Sequence, residues 1–206
     1  ISLMQTAEGA LNETEAILQR MREMAVQSAN DTLTASDRSY IASELDQLSR
    51  EIDRIANSTQ FNSQLLLAGG SISLPGITLQ IGANSGQVMN IQISTASAEA
   101  LGVLITQISI DSADNASNTI SRLDNAVEQV SNTRSWLGAM INRLQHTITN
   151  LDVQYENLSA AQSRIRDLDV AAEMAELTRS QILNQSSVAM LAQANQAPQS
   201  ILSLLK

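Results

Sequence analysis

Residues 120–168 read ISRLDNAVEQVSNTRSWLGAMINRLQHTITNLDVQYENLSAAQSRIRDL, and this stretch decides the fold. Its apolar residues Ile120, Leu123, Val127, Val130, Leu137, Ile141, Leu144, Ile148, Leu151, Tyr155, Leu158 and Ile165 follow one another in steps of three and four, interrupted at Arg134 and Gln162. One half of the pattern, Leu123 through Leu144 to Leu158 and Ile165, returns every seven residues. An α-helix has 3.6 residues per turn, so a 3.5-residue stripe stays on one face only when helices supercoil about each other. The spacing predicts a helix over about 118–168, roughly 75 Å long at 1.5 Å per residue. Helices in globular domains average about 11–12 residues. The expected fold is therefore mainly α (α+β), an elongated rod-like bundle of long antiparallel coiled-coil helices.

Two shorter stripes precede it. Leu3, Ala7, Ala10, Thr14, Ile17, Met21 and Met24 predict an amphipathic helix over about 3–30, ended by Asn30-Asp31-Thr32. Thr34 and Asp37 form a capping signature before a second helix over about 36–56, which carries Ile41, Leu45, Leu48, Ile52 and Ile55. The period then changes. Thr59-Gln60-Phe61-Asn62 and Gly69-Gly70 read as loop, and Pro75-Gly76 as a turn. Ile77, Leu79 and Ile81 alternate with polar residues, as do Met89, Ile91 and Ile93, and predict a β-hairpin over about 77–94. The apolar patch Leu101 to Ile110 fits neither period.

Residues 170 to 206 are rich in Ala, Gln, Ser and Leu, with apolar side chains spread round more than one face. Such a helix has to be covered on several sides, here by other molecules. Pro198 is expected to bend or cap it. The chain ends in the apolar run Ile201 to Leu205, which marks docking, because chain ends are usually polar and frayed.

Bulk properties exclude several functions. The chain has 206 residues, a net charge of −9 and only 12 Lys plus Arg, which opposes binding to nucleic acid phosphates or to an anionic membrane. No apolar run approaches the roughly 20 residues that span a bilayer. Cysteine is absent, so there is no disulfide framework, thiolate metal site or cysteine nucleophile. The chain starts at Ile1, read as a fragment end or processing site. His146 is the single histidine and falls off the apolar stripe, so it is expected in solvent without metal partners. Glu44, Asp46, Glu51 and Asp53 stand near Arg50 and Arg54 at helical spacing and read as a solvated, paired face rather than acid/base machinery. No enzyme, cofactor or metal is expected. The strip Gln19, Arg20, Arg22, Glu23, Gln27 is either a plain helix surface with an Arg20–Glu23 pair or a recognition face, and periodicity cannot choose.

The residues themselves carry a resemblance. Ile1-Ser2-Leu3-Met4-Gln5-Thr6-Ala7-Glu8-Gly9-Ala10-Leu11-Asn12-Glu13 and Leu18 to Asn30 closely resemble the opening of the bacterial flagellin core. Glu51 to Ile55, Thr59 to Asn62, Gln80 to Asn84 and Leu158 to Asp167 are similar to further flagellin segments. The tail Met190 to Lys206 resembles a flagellin C-terminus ending at its natural stop. This likeness implies a structural subunit of the flagellar filament, secreted through the flagellar type III apparatus and polymerising outside the cell for motility. It implies an outer-tube core domain at 1–170 and, at 171–206, the C-terminal helix of an inner-tube domain. The N-terminal segment that pairs with that helix is not in this sequence, and no large surface domain separates the hairpin from the long helix. Among partners it implies other subunits in a helical homopolymer, an export chaperone on the C-terminal helix, and a vertebrate Toll-like receptor. The receptor face maps onto Arg20, Met24 (where leucine is usual), Gln27 and Glu44. The final leucines, Leu202, Leu204 and Leu205, are similar to those used in docking and sensed by cytosolic innate receptors. Two other readings use the same helices: a flagellin-like cell-surface module that binds a polysaccharide, and a hook–filament junction relative.

Overall fold

The computed structural model describes residues 1–69, 76–167 and 169–204, with side chains as far as residue 195. The elements in order are α1 (Ser2–Ser28), α2 (Ala35–Ser58), β1 (Gln60–Phe61), β2 (Gln64–Leu65), β3 (Ile77–Gln80), β4 (Val88–Ile91), α3 (Ala113–Arg166) and α4 (Val170–Leu204). The chain is mainly α, with long helices and two small antiparallel strand pairs. It divides into two units, Ile1–Leu151 and Asp152–Lys206, and the boundary falls inside α3.

In the first unit, α1 buries Met4, Ala7, Leu11, Thr14, Leu18, Met21, Ala25 and Ser28, two interleaved rows of period seven. Thr14 is tolerated there because its hydroxyl donates to the Ala10 carbonyl at 3.0 Å. The break after α1 is held by Arg38, whose Nε donates to the Ser28 carbonyl and whose Nη2 donates to the Asn30 carbonyl, each at 3.1 Å. A guanidinium here satisfies carbonyls that the helix leaves open and opposes the negative end of its dipole. The expected cap of α2 is present. Thr34 Oγ1 accepts from the Asp37 amide at 3.2 Å, and the Asp37 carboxylate accepts from the Thr34 amide at 3.0 Å.

Within the stretch 59–62, read above as loop, Gln60 and Phe61 instead form one arm of a tiny hairpin. Gln60 pairs with Leu65 and Phe61 with Gln64. Asn62 and Ser63 both take positive φ, at 51° and 63°, the pattern that a two-residue type I′ turn requires. The signal was an Asn at the turn, but two-residue strands are too short to show alternation. The longer hairpin pairs Ile77 with Ile91 and Leu79 with Met89, as the alternation demands. Gly76 has φ +90°, and a Cβ there would lie 2.8 Å from the Ile91 carbonyl oxygen, so only glycine fits. Pro75 and Gly70 lie outside the described residues.

The patch at 101–110 is core without regular structure. Leu101, Val103, Ile108 and Ile110 are buried. Two polar ties hold the segment down. Asp53 on α2 accepts from the Ala98 amide at 2.8 Å. Buried Thr119 on α3 accepts from the Ser109 amide at 3.1 Å and donates to its carbonyl at 2.7 Å. The α3 face that completes this core is Ala116, Leu123, Ala126, Val130, Leu137 and Leu144.

In the second unit, Asp169 starts α4 by accepting from the amides of Ala171 and Ala172 at 3.1 and 3.2 Å. The helix runs on through Pro198 to Leu204, so Pro198 does not cap it.

Candidate functional site: an uncovered apolar stripe and a charged helix face

The stripe of α3 does not stop where its cover stops. Up to Leu144, at 7% exposure, its apolar positions are buried or, at Ile120 and Val127, partly buried; beyond it Ile148 is 48% exposed, Tyr155 76%, Leu158 70% and Ile165 88%. These side chains keep the heptad spacing of the buried ones, so they form a surface shaped to receive another helix. Along α4 the apolar residues Val170, Met174, Leu177, Ile182, Leu183, Val188, Met190 and Leu191 are all exposed as well. Leu202 and Leu204 belong to α4, in the part described as backbone only, and Leu205 lies outside the described residues.

The candidate receptor face is partly assembled by the fold. Arg20 donates to Glu23 at 3.3 Å on its own helix and to Glu44 on α2 at 3.2 Å, so one guanidinium joins two helices. Those hydrogen bonds, Glu44 first and then Glu23, raise the Arg20 pKa above its ordinary value. Gln27 is exposed two turns farther along the same helix face as Arg20, whereas Met24 is 2% exposed and packs in the core beneath the face. The Arg20–Glu23 link was legible from its i,i+3 spacing. The link to Glu44 was not, because a cross-helix partner has no fixed sequence distance.

The other carboxylates of the α2 cluster are occupied, Asp53 by the Ala98 amide. Arg50 holds Asp46 at 2.9 Å, and Arg54 holds Glu51 with two bonds, one of 2.8 Å, which lowers the Glu51 pKa. His146 is exposed, as its position off the stripe requires. Among the described residues no cluster of His, Asp and Glu could hold a metal ion. No helix among them is long and apolar enough to cross a membrane. One depression beside α3 is an open cleft of about 310 Å³ lined by Gln92, Ser94, Asn132, Thr133 and Trp136, with no titratable group in it.

Comparison with known proteins agrees with this geometry. The family model for the bacterial flagellin N-terminal helical region matches residues 1–71, and that for the bacterial flagellin C-terminal helical region matches 120–205. The chain is 50% identical over 206 residues to a flagellin of Halalkalibacterium halodurans, covering 100% of this chain and 75% of that protein. It is 46% identical over 217 residues to the flagellar filament 33 kDa core protein of Treponema phagedenis, covering 100% and 76%. The crystal structure of Bacillus cereus flagellin superposes with a TM-score of 0.61 at 33% identity, over 78% of this chain and 90% of that one. With both terminal helical regions matched and its full length aligned, this chain belongs to the bacterial flagellin family.

Proposed function

We infer that the chain is a structural subunit of the bacterial flagellar filament, self-assembling through its helical surfaces into the extracellular filament that drives motility. One observation carries the mechanism: a single heptad stripe is buried at Leu144 and bare at Leu158, within one helix. Burial of a leucine stabilises by about 1.5–3 kcal/mol, so a run of bare ones provides a driving force for association. A filament needs contacts between unlike surfaces that do not close into a ring, and the bare stripe offers one half of such a contact. The role is read as structural rather than catalytic: the carboxylate cluster of α2 is taken up in ion pairs and hydrogen bonds, and the stripe offers surface, not an enclosed pocket. Relatives that carry filament names favour this reading over a surface glycan binder or a junction protein.

In the assembled filament, residues 1–170 form the outer-tube core domain and 171–206 the C-terminal helix of the inner tube. Before assembly the exposed apolar faces of α4 would be held by an export chaperone, with Leu202, Leu204 and Leu205 as docking residues, and the subunit leaves through the flagellar type III apparatus. Arg20, Met24, Gln27 and Glu44 form the face offered to a Toll-like receptor, with Met24 supporting it from below. What supports that face is the Arg20–Glu44 bond joining α1 to α2.

The test is seeded polymerisation of the protein, viewed by electron microscopy. Uniform filaments of constant diameter are expected. A protein that stays monomeric in the presence of seeds overturns the assignment. The receptor face is tested separately by Glu44→Arg, which sets like charge against Arg20 and should lower receptor activation while leaving polymerisation intact.

A further inference from the structure

The apolar rows of α1 and α3 both repeat every seven residues: Met4, Leu11, Leu18, Ala25 on one helix and Ala116, Leu123, Val130, Leu137, Leu144 on the other. Rows of equal period are degenerate. If α1 slides along α3 by seven residues, apolar positions come level with apolar positions again, so the period of the two rows does not by itself name the register. Something else has to.

Two ion pairs join these helices. Glu15 pairs with Arg134, and Arg22 Nε donates to Asp124 at 2.6 Å. As the sequence rises from 15 to 22 on α1, it falls from 134 to 124 on α3, so the helices are antiparallel. The first pair is the better shielded, with side-chain exposures of 18% for Glu15 and 30% for Arg134, and the Nε of Arg134 is buried without a partner. Arg134 stands in the row Ile120, Val127, Arg134, Ile141, where it replaces an apolar residue. Glu15 and Arg22 are themselves seven residues apart, in one row with Glu8. Their order of charge breaks the degeneracy. A slip that carries Arg22 into the place of Glu15 sets it against Arg134, like against like, and leaves Asp124 facing Ala29. The opposite slip sets Glu15 against Asp124 and keeps one attraction, Glu8 with Arg134. Only the observed register makes both contacts attractive.

We propose that the Glu15–Arg134 and Arg22–Asp124 pairs are the specificity determinants that fix the register in which α3 docks on α1. A polar group on a coiled-coil seam selects alignment at some cost in stability, which accounts for a shielded arginine in an otherwise apolar row.

The charge arrangement supplies its own test. The double variant Glu15→Arg with Arg134→Glu keeps both native contacts attractive, so a pair that merely stabilises would be fully restored. It also turns one slipped register from repulsive to attractive, the one that brings Arg22 to position 134. The chain has no cysteine, so Asn12→Cys and Ser121→Cys, both at exposed positions, give a unique pair of spin-label sites. Pulsed dipolar spectroscopy on the full chain should give one distance for the parent. The double variant should add a second distance longer by about 10 Å, seven rises of 1.5 Å. Its population should exceed that in the parent at least about tenfold, the scale of one shielded charge pair. The milder Glu15→Gln with Arg134→Gln removes the repulsion without creating an attraction, and should show the same second distance at a lower level. A single parental distance in both variants overturns the proposal and assigns the register to the packing of residues 92–110.

Discussion

The two ends of α3 carry the same residue types at the same spacing and meet different fates. Leu137 is 0% exposed and Leu158 is 70% exposed, although both sit on the row that returns every seven residues. A heptad therefore encodes the demand for a partner helix without saying which chain provides it. Between Ala116 and Leu144 the partners are α1 and the 92–110 segment; from Ile148 onward the demand is left open. The polar contacts follow the same division. Among the described residues, ion pairs between helices occur only in the covered part, at Arg20–Glu44, Arg22–Asp124 and Glu15–Arg134, whereas the second unit has the local pair Arg179–Glu176.

The largest expected effect breaks this comparison at its centre. Leu137→Ala should lower the unfolding free energy by about 2–5 kcal/mol, because it leaves a cavity among fully buried neighbours. Leu158→Ala should change the isolated chain by less than about 0.5 kcal/mol, as surface substitutions do. Seeded polymerisation should invert the ranking's meaning: Leu158→Asp, folded as well as the parent, should stop filament growth, because it places a charge in the new apolar contact. Urea titration followed by helical circular dichroism checks the first pair, and electron microscopy checks the third variant. Equal losses of stability from Leu137→Ala and Leu158→Ala would sink the division into covered and bare halves.

How far the sequence shows this division depends on the element. The long helix was legible because nothing in 120–165 breaks a stripe of twelve apolar residues except Arg134 and Gln162. The hairpin was legible because Ile77 and Leu79 alternate and then meet Ile91 and Met89. The core role of Leu101, Val103, Ile108 and Ile110 was not legible, since buried loop has no period and its order comes from side chains on the helices, Asp53 and Thr119, at no fixed sequence distance. The same holds for the candidate sites. Glu23 could be named as a partner of Arg20 from spacing, but Glu44 could not, and the burial of Met24 follows from α1 turning its Met21 and Met24 side inward. The resemblance named residues for a recognition face; it did not say which of them reach the surface.

A middle-sized effect sharpens the comparison from the other side, through a helix wholly inside the covered unit. Thr34→Ala removes the oxygen that accepts from the Asp37 amide and should cost about 1 kcal/mol. Thr34→Ser keeps that oxygen and should cost far less. Hydrogen exchange read residue by residue should show the loss in the first turn of α2, with α4 unchanged because it has its own cap at Asp169. An equal loss of protection in α4 would mean that the two units respond as one.

The smallest effect concerns charge, and its sign tests what arginine contributes to the covered unit. Of the 12 basic residues one is lysine, Lys206, and it lies outside the described residues; the ion pairs described all use arginine. Hydrogen bonds from Thr34 hold the Asp37 carboxyl below its ordinary value, and Arg54 does the same to Glu51. A carboxylate with a depressed folded pKa adds stability that is present above its unfolded value and is lost as pH falls through the folded one. Arg20 and Arg54 shift the other way, raised by Glu44 and Glu51, so their contribution is present below the ordinary arginine value and is lost only beyond it. The thermal midpoint should therefore show no step from these pairs between roughly pH 5 and pH 11, and should start to fall below about pH 4. Arg54→Lys brings the alkaline limb into reach, because lysine loses its proton near pH 10.4, and a shallow fall should appear between about pH 9.5 and 11. The fall is small because Arg54 is 64% exposed and water screens the pair. A parent protein that already loses stability over that alkaline range would show that a group other than these ion pairs controls the covered unit.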